Sequence, residues 1–269
     1  MNRRNLAVIG VGNMAKAIIN GIKSSDFDLS KINLFDIKKE QYTSLLSEKI
    51  SAYASIEEAV SASDCVLLSV KPQNYDEVLT VIKRVKDYQS KLYISIGAGI
   101  STSYISDFLG DAAVVRVLPN LPMVIGSGVS VICRNRKISD GDFSFVKRIF
   151  CSSGSVMEIE EDEMNRIIGV TSSSPAYVFK FIDAICQGAR AQGIEADDIL
   201  DAVCDMVIGS ALMLKNSKES PSELISRVAS KGGTTERALL KLDEYKFSEG
   251  IESAMKACTV RANELGANK

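Results

Sequence analysis

A glycine-containing turn near the start of the chain restricts its fold more than any other feature. Gly10, Gly12 and Ala15 form a G-x-G-x-x-A pattern that follows the apolar run 6–10 and opens a helical pattern. In a strand–turn–helix, the first glycine permits the tight turn, the second lets a pyrophosphate approach the backbone, and the small third residue lets the helix pack on the strand. N–H groups at the helix start bind the anion. The turn therefore predicts a dinucleotide-binding βαβ unit.

The pattern of the remaining chain predicts two parts. About 160 residues alternate β-rich runs with amphipathic stretches, which is typical of a parallel sheet covered by helices. Strands are predicted at 6–10, 32–36, 65–70, 92–97, 114–118 and 128–133. After Asp162 the apolar residues repeat at a period near 3.6, with helices predicted at 175–191, 197–215, 221–229, 235–244 and 247–265. We predict an α/β fold, with a Rossmann-type doubly wound sheet in residues 1–162 and an all-α domain in residues 163–269.

Composition excludes several classes of function. The 32 Lys and Arg nearly balance the 34 Asp and Glu, so no large net field attracts nucleic acid or an anionic membrane. Apolar runs are too short for a membrane span. The six cysteines lie far apart without a C-x-x-C pair, which favours a reduced cytoplasmic protein. The chain has no histidine, which removes imidazole-dependent triads and His-rich metal sites, and we expect no metal.

Residues after the second predicted strand bear on the choice of dinucleotide. Asp36 lies near the position where an acid hydrogen-bonds the adenosine ribose of NAD. Lys38 and Lys39 follow it and would instead suit the 2′-phosphate of NADP. All three residues also fit a solvated loop. The sequence therefore leaves NAD and NADP open.

Other loops that follow predicted strands are placed to line the same crevice. Val70, Lys71 and Pro72 end one strand, and the glycine-containing segment 97–101 ends the next. Ligands of doubly wound sheets bind outside the carboxyl ends of the strands. The alternative is that proline and glycine only separate strand from helix. Asn120, in a proline-bracketed turn, either shapes the catalytic face or satisfies the backbone of its own turn.

The helical half contains one unusual turn, at residues 230–236. Gly232, Gly233, Thr234 and Thr235 lie between two helical patterns, where they form a flexible link that ends at a helix start. Backbone N–H groups and a threonine hydroxyl at such a position can bind a small carboxylate. An ordinary helix cap after a glycine-rich link explains the same residues.

Together and in this order, these motifs resemble the pyrroline-5-carboxylate reductase family over essentially the whole chain. The motifs are 10–15, Val70-Lys71-Pro72-Gln73, Gly97-Ala98-Gly99-Ile100-Ser101, Leu118-Pro119-Asn120-Leu121-Pro122, Pro175-Ala176-Tyr177-Val178-Phe179 and 221–243. The resemblance implies NAD(P)H-dependent reduction of the cyclic imine 1-pyrroline-5-carboxylate to L-proline, the last step of proline biosynthesis. It also implies that the helical domain forms a homodimer, with dimers often built into larger rings.

The resemblance also implies roles for individual residues. The expected cofactor is NADPH, with NADH as the alternative, and the residues expected to bind it are Gly10, Gly12, Asn13, Met14, Asp36, Val70, Lys71 and Pro72. The residues expected to hold the carboxylate of the small-molecule substrate, reached from the partner chain, are Ser230, Gly233, Thr234 and Thr235. Thr235 is the expected catalytic residue, which orients the ring nitrogen or the carboxylate.

Two departures from the family pattern keep other functions open. Ser174 stands where the family usually has glycine, and Lys231 stands where it usually has proline. These changes leave room for a non-catalytic dinucleotide-binding paralogue. A β-hydroxyacid-type dehydrogenase also joins a Rossmann domain to helices but typically needs a catalytic lysine, for which Lys180 is the candidate.

The absence of histidine fits the reduction of an imine. A cyclic imine can react as its iminium ion, which already carries the proton that an acid would otherwise supply. The enzyme then needs to bind the carboxylate, orient the ring and exclude water. Hydroxyl and backbone N–H groups can perform these tasks.

Overall fold

The computed structural model describes residues 4–27 and 29–267. The strands are β1 Asn5–Ile9, β2 Lys31–Phe35, β3 Ile50–Ala52, β4 Cys65–Leu68, β5 Leu92–Ser95, β6 Ala113–Leu118, β7 Gly128–Arg134 and β8 Gly154–Glu158. The α-helices are α1 Asn13–Lys23, α2 Ile56–Ser61, α3 Tyr75–Ile82, α4 Thr102–Phe108, α5 Asp140–Cys151, α6 Met164–Ile167, α7 Ser174–Ala191, α8 Ile199–Asn216, α9 Pro221–Val228, α10 Thr234–Glu244 and α11 Phe247–Gly266.

The strands form one sheet with the order of a doubly wound fold. That order is β3-β2-β1-β4-β5-β6-β7-β8. The first six strands, β1 to β6, pair in parallel with their neighbours in this order. Strand β7 runs antiparallel to β6, and β8 is parallel to β7. Chain order reverses between β1 and β4, where such sheets bind ligands beyond the carboxyl ends of the strands. The predicted α/β fold with a Rossmann-type sheet is confirmed.

Both faces of the sheet are buried, which explains the continuous apolar runs of its central strands. Successive side chains of a strand point to opposite faces. In β1, Leu6 and Val8 contribute to the core on one face, and Ala7 and Ile9 contribute to the core on the other face. Helix α1 covers the first face with an apolar stripe, whose buried residues are Ala15, Ala17, Ile18, Ile19 and Ile22.

The six strands predicted from the sequence are all present, with ends within two residues of the expected positions. The patterns do not predict β3 and β8, which lie at the two edges of the sheet. Strand β3 has three residues, too few to show an alternation. Strand β8 has no fully buried residue, so it lacks the apolar run that marks the central strands.

The helices predicted after Asp162 are also confirmed, and the chain divides into two compact units. One unit contains the residues up to 173 together with those from 255 onward, and the other is Ser174–Ala254. Helix α11 therefore contributes its second half to the unit that holds the sheet. The domain boundary at residue 162 stays a prediction. None of the helices in the described residues combines the length and apolar character that crossing a membrane requires.

Candidate active site

A crevice opens beyond the carboxyl ends of β1, β4, β5 and β6, where the strand order reverses. Its volume is about 330 Å³. The residues that line it are Gly12, Asn13, Met14, Ser69, Val70, Lys71, Ile96, Ala98, Leu118, Pro119, Ile168 and Ser172. Four strand-end loops and one segment from the start of the helical half therefore meet in one concave site.

The glycine turn has the conformation that an anion site needs. Gly10 has a φ of +87°, and a Cβ there would lie 2.8 Å from the carbonyl oxygen of Ser69, so only glycine fits. Gly12 precedes α1 in extended backbone, and a Cβ added to it would contact nothing within 4 Å. The first N–H groups of a helix have no acceptor within the helix. Open space beside Gly12 and these donors together form a cradle for a pyrophosphate.

Asp36 is bound to the glycine turn by hydrogen bonds. Its Oδ2 accepts the N–H of Val11 at 2.7 Å, and its Oδ1 accepts the N–H of Lys38 at 2.8 Å. The side chains of Lys38 and Lys39 lie exposed beyond it. Asp36 does not line the crevice itself. The carboxylate is instead held just after β2, beside the glycine turn. In doubly wound folds the adenosine ribose of a dinucleotide lies near this position.

A π-helical segment, Ile168–Ser172, forms one wall of the crevice through Ile168 and Ser172. Asn120 holds this wall, because its Nδ2 donates to the carbonyl oxygen of Thr171 at 3.0 Å while its Oδ1 accepts the N–H of Val129 at 2.8 Å. Asn120 therefore does more than satisfy its own turn. Among the described residues, the buried Oγ of Ser172 finds no hydrogen-bond partner. Ser172 lines the crevice, but this oxygen is covered and does not face the open space.

An ion pair between a buried arginine and a half-buried glutamate connects the sheet to the segment that leads into this wall. The Arg116 side chain is 3% exposed, and its Nη1 donates to Oε1 of Glu161 at 2.8 Å. Its Nη2 donates to Oδ1 of Asn165 at 2.6 Å. The other carboxylate oxygen of Glu161 accepts the thiol of Cys133. Burial and the nearby Glu161 carboxylate raise the pKa of Cys133, so this thiol stays protonated as a donor.

The turn of residues 230–235 belongs to the other unit and ends at the start of α10. Gly232 has a φ of +75°, and its N–H donates to the Glu236 carboxylate at 2.8 Å. Gly233 donates to the carbonyl oxygen of Ser230, and a Cβ on Gly233 would lie 2.6 Å from the Ser230 hydroxyl. Thr234 opens the helix and is exposed, whereas Thr235 is partly buried. The turn presents helix-start N–H groups and two hydroxyls, a combination suited to a carboxylate.

Comparison with known proteins relates nearly the whole chain to one enzyme family. Residues 161–265 match the family model for pyrroline-5-carboxylate reductase dimerisation, and residues 5–99 match the model described as NADP oxidoreductase, coenzyme F420-dependent. The pyrroline-5-carboxylate reductase of Aquifex aeolicus is 34% identical over 97% of both chains. The chain belongs to the pyrroline-5-carboxylate reductase family. It is an oxidoreductase that reduces 1-pyrroline-5-carboxylate to L-proline with a nicotinamide cofactor.

Two solved structures show the same likeness over nearly the whole chain of this reductase. The Streptococcus pyogenes enzyme is 28% identical with a TM-score of 0.88, covering 98% of this chain and 100% of its own. The Plasmodium falciparum enzyme, solved with NADP bound, is 26% identical with a TM-score of 0.87, covering 99% of both chains.

The reductase brings most of the expected cofactor residues together. Gly12, Asn13, Met14, Val70 and Lys71 all line the crevice. The remaining expected residues lie at its edges: Gly10 forms the turn, Pro72 opens a short 3₁₀ turn before α3, and Asp36 lies behind the glycine turn.

Sequence reasoning missed part of the crevice wall. Ile168 and Ser172 follow no strand and belong to no recognised motif, so the sequence contains no signal that marks them. The rival candidate Lys180 lies exposed on α7.

Proposed function

We propose that the crevice binds the nicotinamide dinucleotide and that the turn of residues 230–235 binds the substrate carboxylate. The observation that carries this proposal is the open cradle beside Gly12 at the strand-order reversal. When bound, the reduced dinucleotide supplies the hydride.

The residues of this reductase then act by binding and orienting rather than by acid–base catalysis. The iminium form of the substrate already carries its proton, so no histidine is needed. Helix-start N–H groups at Thr234 and Thr235 donate hydrogen bonds to the carboxylate and stabilise its charge. The Thr235 hydroxyl orients the ring nitrogen or the carboxylate. Ser230 and Gly233 fix the shape of the turn through their backbone hydrogen bond. The apolar side chain of Ile168 helps to exclude water from the crevice.

We further propose that NADPH is the usual reductant, that NADH is accepted, and that Asp36 weakens the preference for NADPH. The exposed Lys38 and Lys39 favour a 2′-phosphate. The Asp36 carboxylate, held by the Val11 and Lys38 N–H groups, repels a 2′-phosphate and suits a ribose hydroxyl.

Replacing Asp36 by serine is therefore expected to raise the ratio of kcat/KM for NADPH to that for NADH by roughly 10-fold, since removing one close like charge is worth ~1.4 kcal/mol or more. Initial rates with each dinucleotide measure this ratio. Asp64→Ser is a matched control, because the Asp64 carboxylate also accepts a backbone N–H, from Asn5 at 2.8 Å, but lies at the amino end of β4, away from the crevice. An unchanged ratio in Asp36→Ser would place the adenosine ribose elsewhere.

We also propose a homodimer formed through the helical unit, and a cytoplasmic enzyme whose six cysteines stay reduced. The helical unit exposes many large apolar side chains. Because exposing such side chains to water is unfavourable, they favour association with a partner chain. Examples from α7, α8 and α10 are Phe179, Leu200, Ile208, Leu212 and Leu240. The family model that matches this region is described as a dimerisation domain. Light scattering should give the mass of at least two chains, and the mass of one chain would contradict the dimer.

A further inference from the structure

A buried tyrosine lies where two strands separate to form the crevice. At the carboxyl ends of β4 and β5, the Ile96 N–H donates a hydrogen bond to the carbonyl oxygen of Leu68 at 3.2 Å. Beyond this hydrogen bond the two strands continue into the loops that line the crevice. Tyr75, the first residue of α3, is 1% exposed and places its hydroxyl at this point.

The Tyr75 hydroxyl joins the ends of both strands. Its Oη lies 3.2 Å from the carbonyl oxygen of Leu68 at the end of β4 and 2.9 Å from Oγ of Ser95 at the end of β5. Oγ of Ser95 also accepts the N–H of Gly97 at 3.3 Å. Because a hydroxyl has one hydrogen to donate, these contacts fix a single direction. Gly97 donates to Ser95, Ser95 donates to Tyr75, and Tyr75 donates to Leu68.

The arrangement requires glycine at position 97 because the Tyr75 ring approaches the backbone closely there, not because the backbone is left-handed. A Cβ at Gly97 would lie 2.6 Å from Oη of Tyr75 and 2.8 Å from its Cζ. Burial raises the pKa of the Tyr75 hydroxyl to about 12, so it keeps its proton and remains a donor near neutral pH. The glycine of the 97–101 motif therefore makes room for the tyrosine ring.

Each end of this hydrogen-bond chain is adjacent to residues that line the crevice. Leu68 precedes Ser69 and Val70 on one side, and Gly97 lies between Ile96 and Ala98 on the other. We infer that Tyr75 is a positioning residue, whose buried hydroxyl fixes the spacing of the two loops and thereby the affinity of the reductase for its dinucleotide. This inference rests on the proposal that the crevice binds the dinucleotide.

The test is the dissociation constant for NADPH in Tyr75→Phe, measured by titration of the full chain. We expect a rise of about 5- to 10-fold, equivalent to one lost hydrogen bond. KM for NADPH should rise by a similar factor while kcat changes much less, as for an interaction that serves binding only. Tyr93→Phe is the matched control, because Tyr93 is also a buried tyrosine, but it lies on β5 and its hydroxyl donates to the carbonyl of Tyr88, which precedes that strand.

A merely structural role would lower the melting temperature in both tyrosine variants and leave both dissociation constants unchanged. The inference is overturned if Tyr75→Phe binds NADPH within twofold of the wild type, or if Tyr93→Phe weakens binding equally. Should Tyr75→Phe not fold, Ser95→Ala removes the middle hydroxyl, with the same expected rise and the same overturning result. A wild-type chain that binds neither NADPH nor NADH overturns the proposed function together with this inference.

Discussion

Replacing Glu161 by alanine is expected to lower the free energy of unfolding by about 3 to 5 kcal/mol, because it leaves a buried guanidinium without its carboxylate. Arg116 is almost fully buried whereas Glu161 is one-third exposed, so water that enters at the vacated position can replace the carboxylate only in part. Asn165 would remain as a neutral partner for one edge of the guanidinium, and the Cys133 thiol would lose its acceptor. Chemical denaturation of the wild type and Glu161→Ala measures the difference.

Two further variants separate burial of the charge from simple loss of an ion pair. Arg116→Met should cost less than Glu161→Ala, because the Glu161 side chain is 33% exposed and can be hydrated once it is alone. Glu244→Ala breaks an exposed pair with Lys241 on α10 and should change stability by only about 0.5 kcal/mol or less. A loss in Glu161→Ala no larger than that in Glu244→Ala would show that Arg116 is not held as a buried charge.

Replacing Thr235 by alanine is expected to lower kcat/KM for the imine by about 10- to 100-fold, the value of a hydrogen bond to a charged group. The hydroxyl lies in the first turn of α10, beside N–H groups that have no acceptor within their helix. Thr235→Ser keeps the hydroxyl and should retain most of the activity. Steady-state rates at saturating dinucleotide measure these differences.

Ser226→Ala is the control for Thr235, since Ser226 is an exposed hydroxyl of the same unit that bonds to its own helix through the Ser222 carbonyl. It should leave kcat/KM unchanged. Melting temperatures of all three variants show whether the helical unit is intact. Unchanged kcat/KM in a folded Thr235→Ala would remove this residue from the catalytic machinery.

The parts of the fold that sequence reasoning predicts are those with strong local signals. Strands β1 and β4 are continuous apolar runs because both faces of the sheet are covered, and α1 repeats its buried residues at helical spacing. Edge strands β3 and β8 lack such a signal, since one is too short and the other is partly exposed. Periodicity therefore detects the centre of the sheet better than its edges.

Sequence reasoning likewise predicts only part of the site. The glycine turn can be recognised because the positive φ of Gly10, the end of β1 and the start of α1 each require particular residues within six positions. The pairing of Arg116 with Glu161 and the hydrogen-bond chain through Tyr75 depend on tertiary contacts between distant parts of the sequence, which no local pattern encodes. The π-helical segment Ile168–Ser172 reads as ordinary apolar and small residues.

We expect this reductase to transfer hydride to an already protonated imine by positioning alone, without histidine. The direct measurement is the initial rate of NADPH and NADH oxidation with 1-pyrroline-5-carboxylate, together with the amount of proline formed. Saturable, imine-dependent oxidation is expected, with one proline formed for each dinucleotide oxidised. Tight dinucleotide binding without imine-dependent oxidation would contradict it.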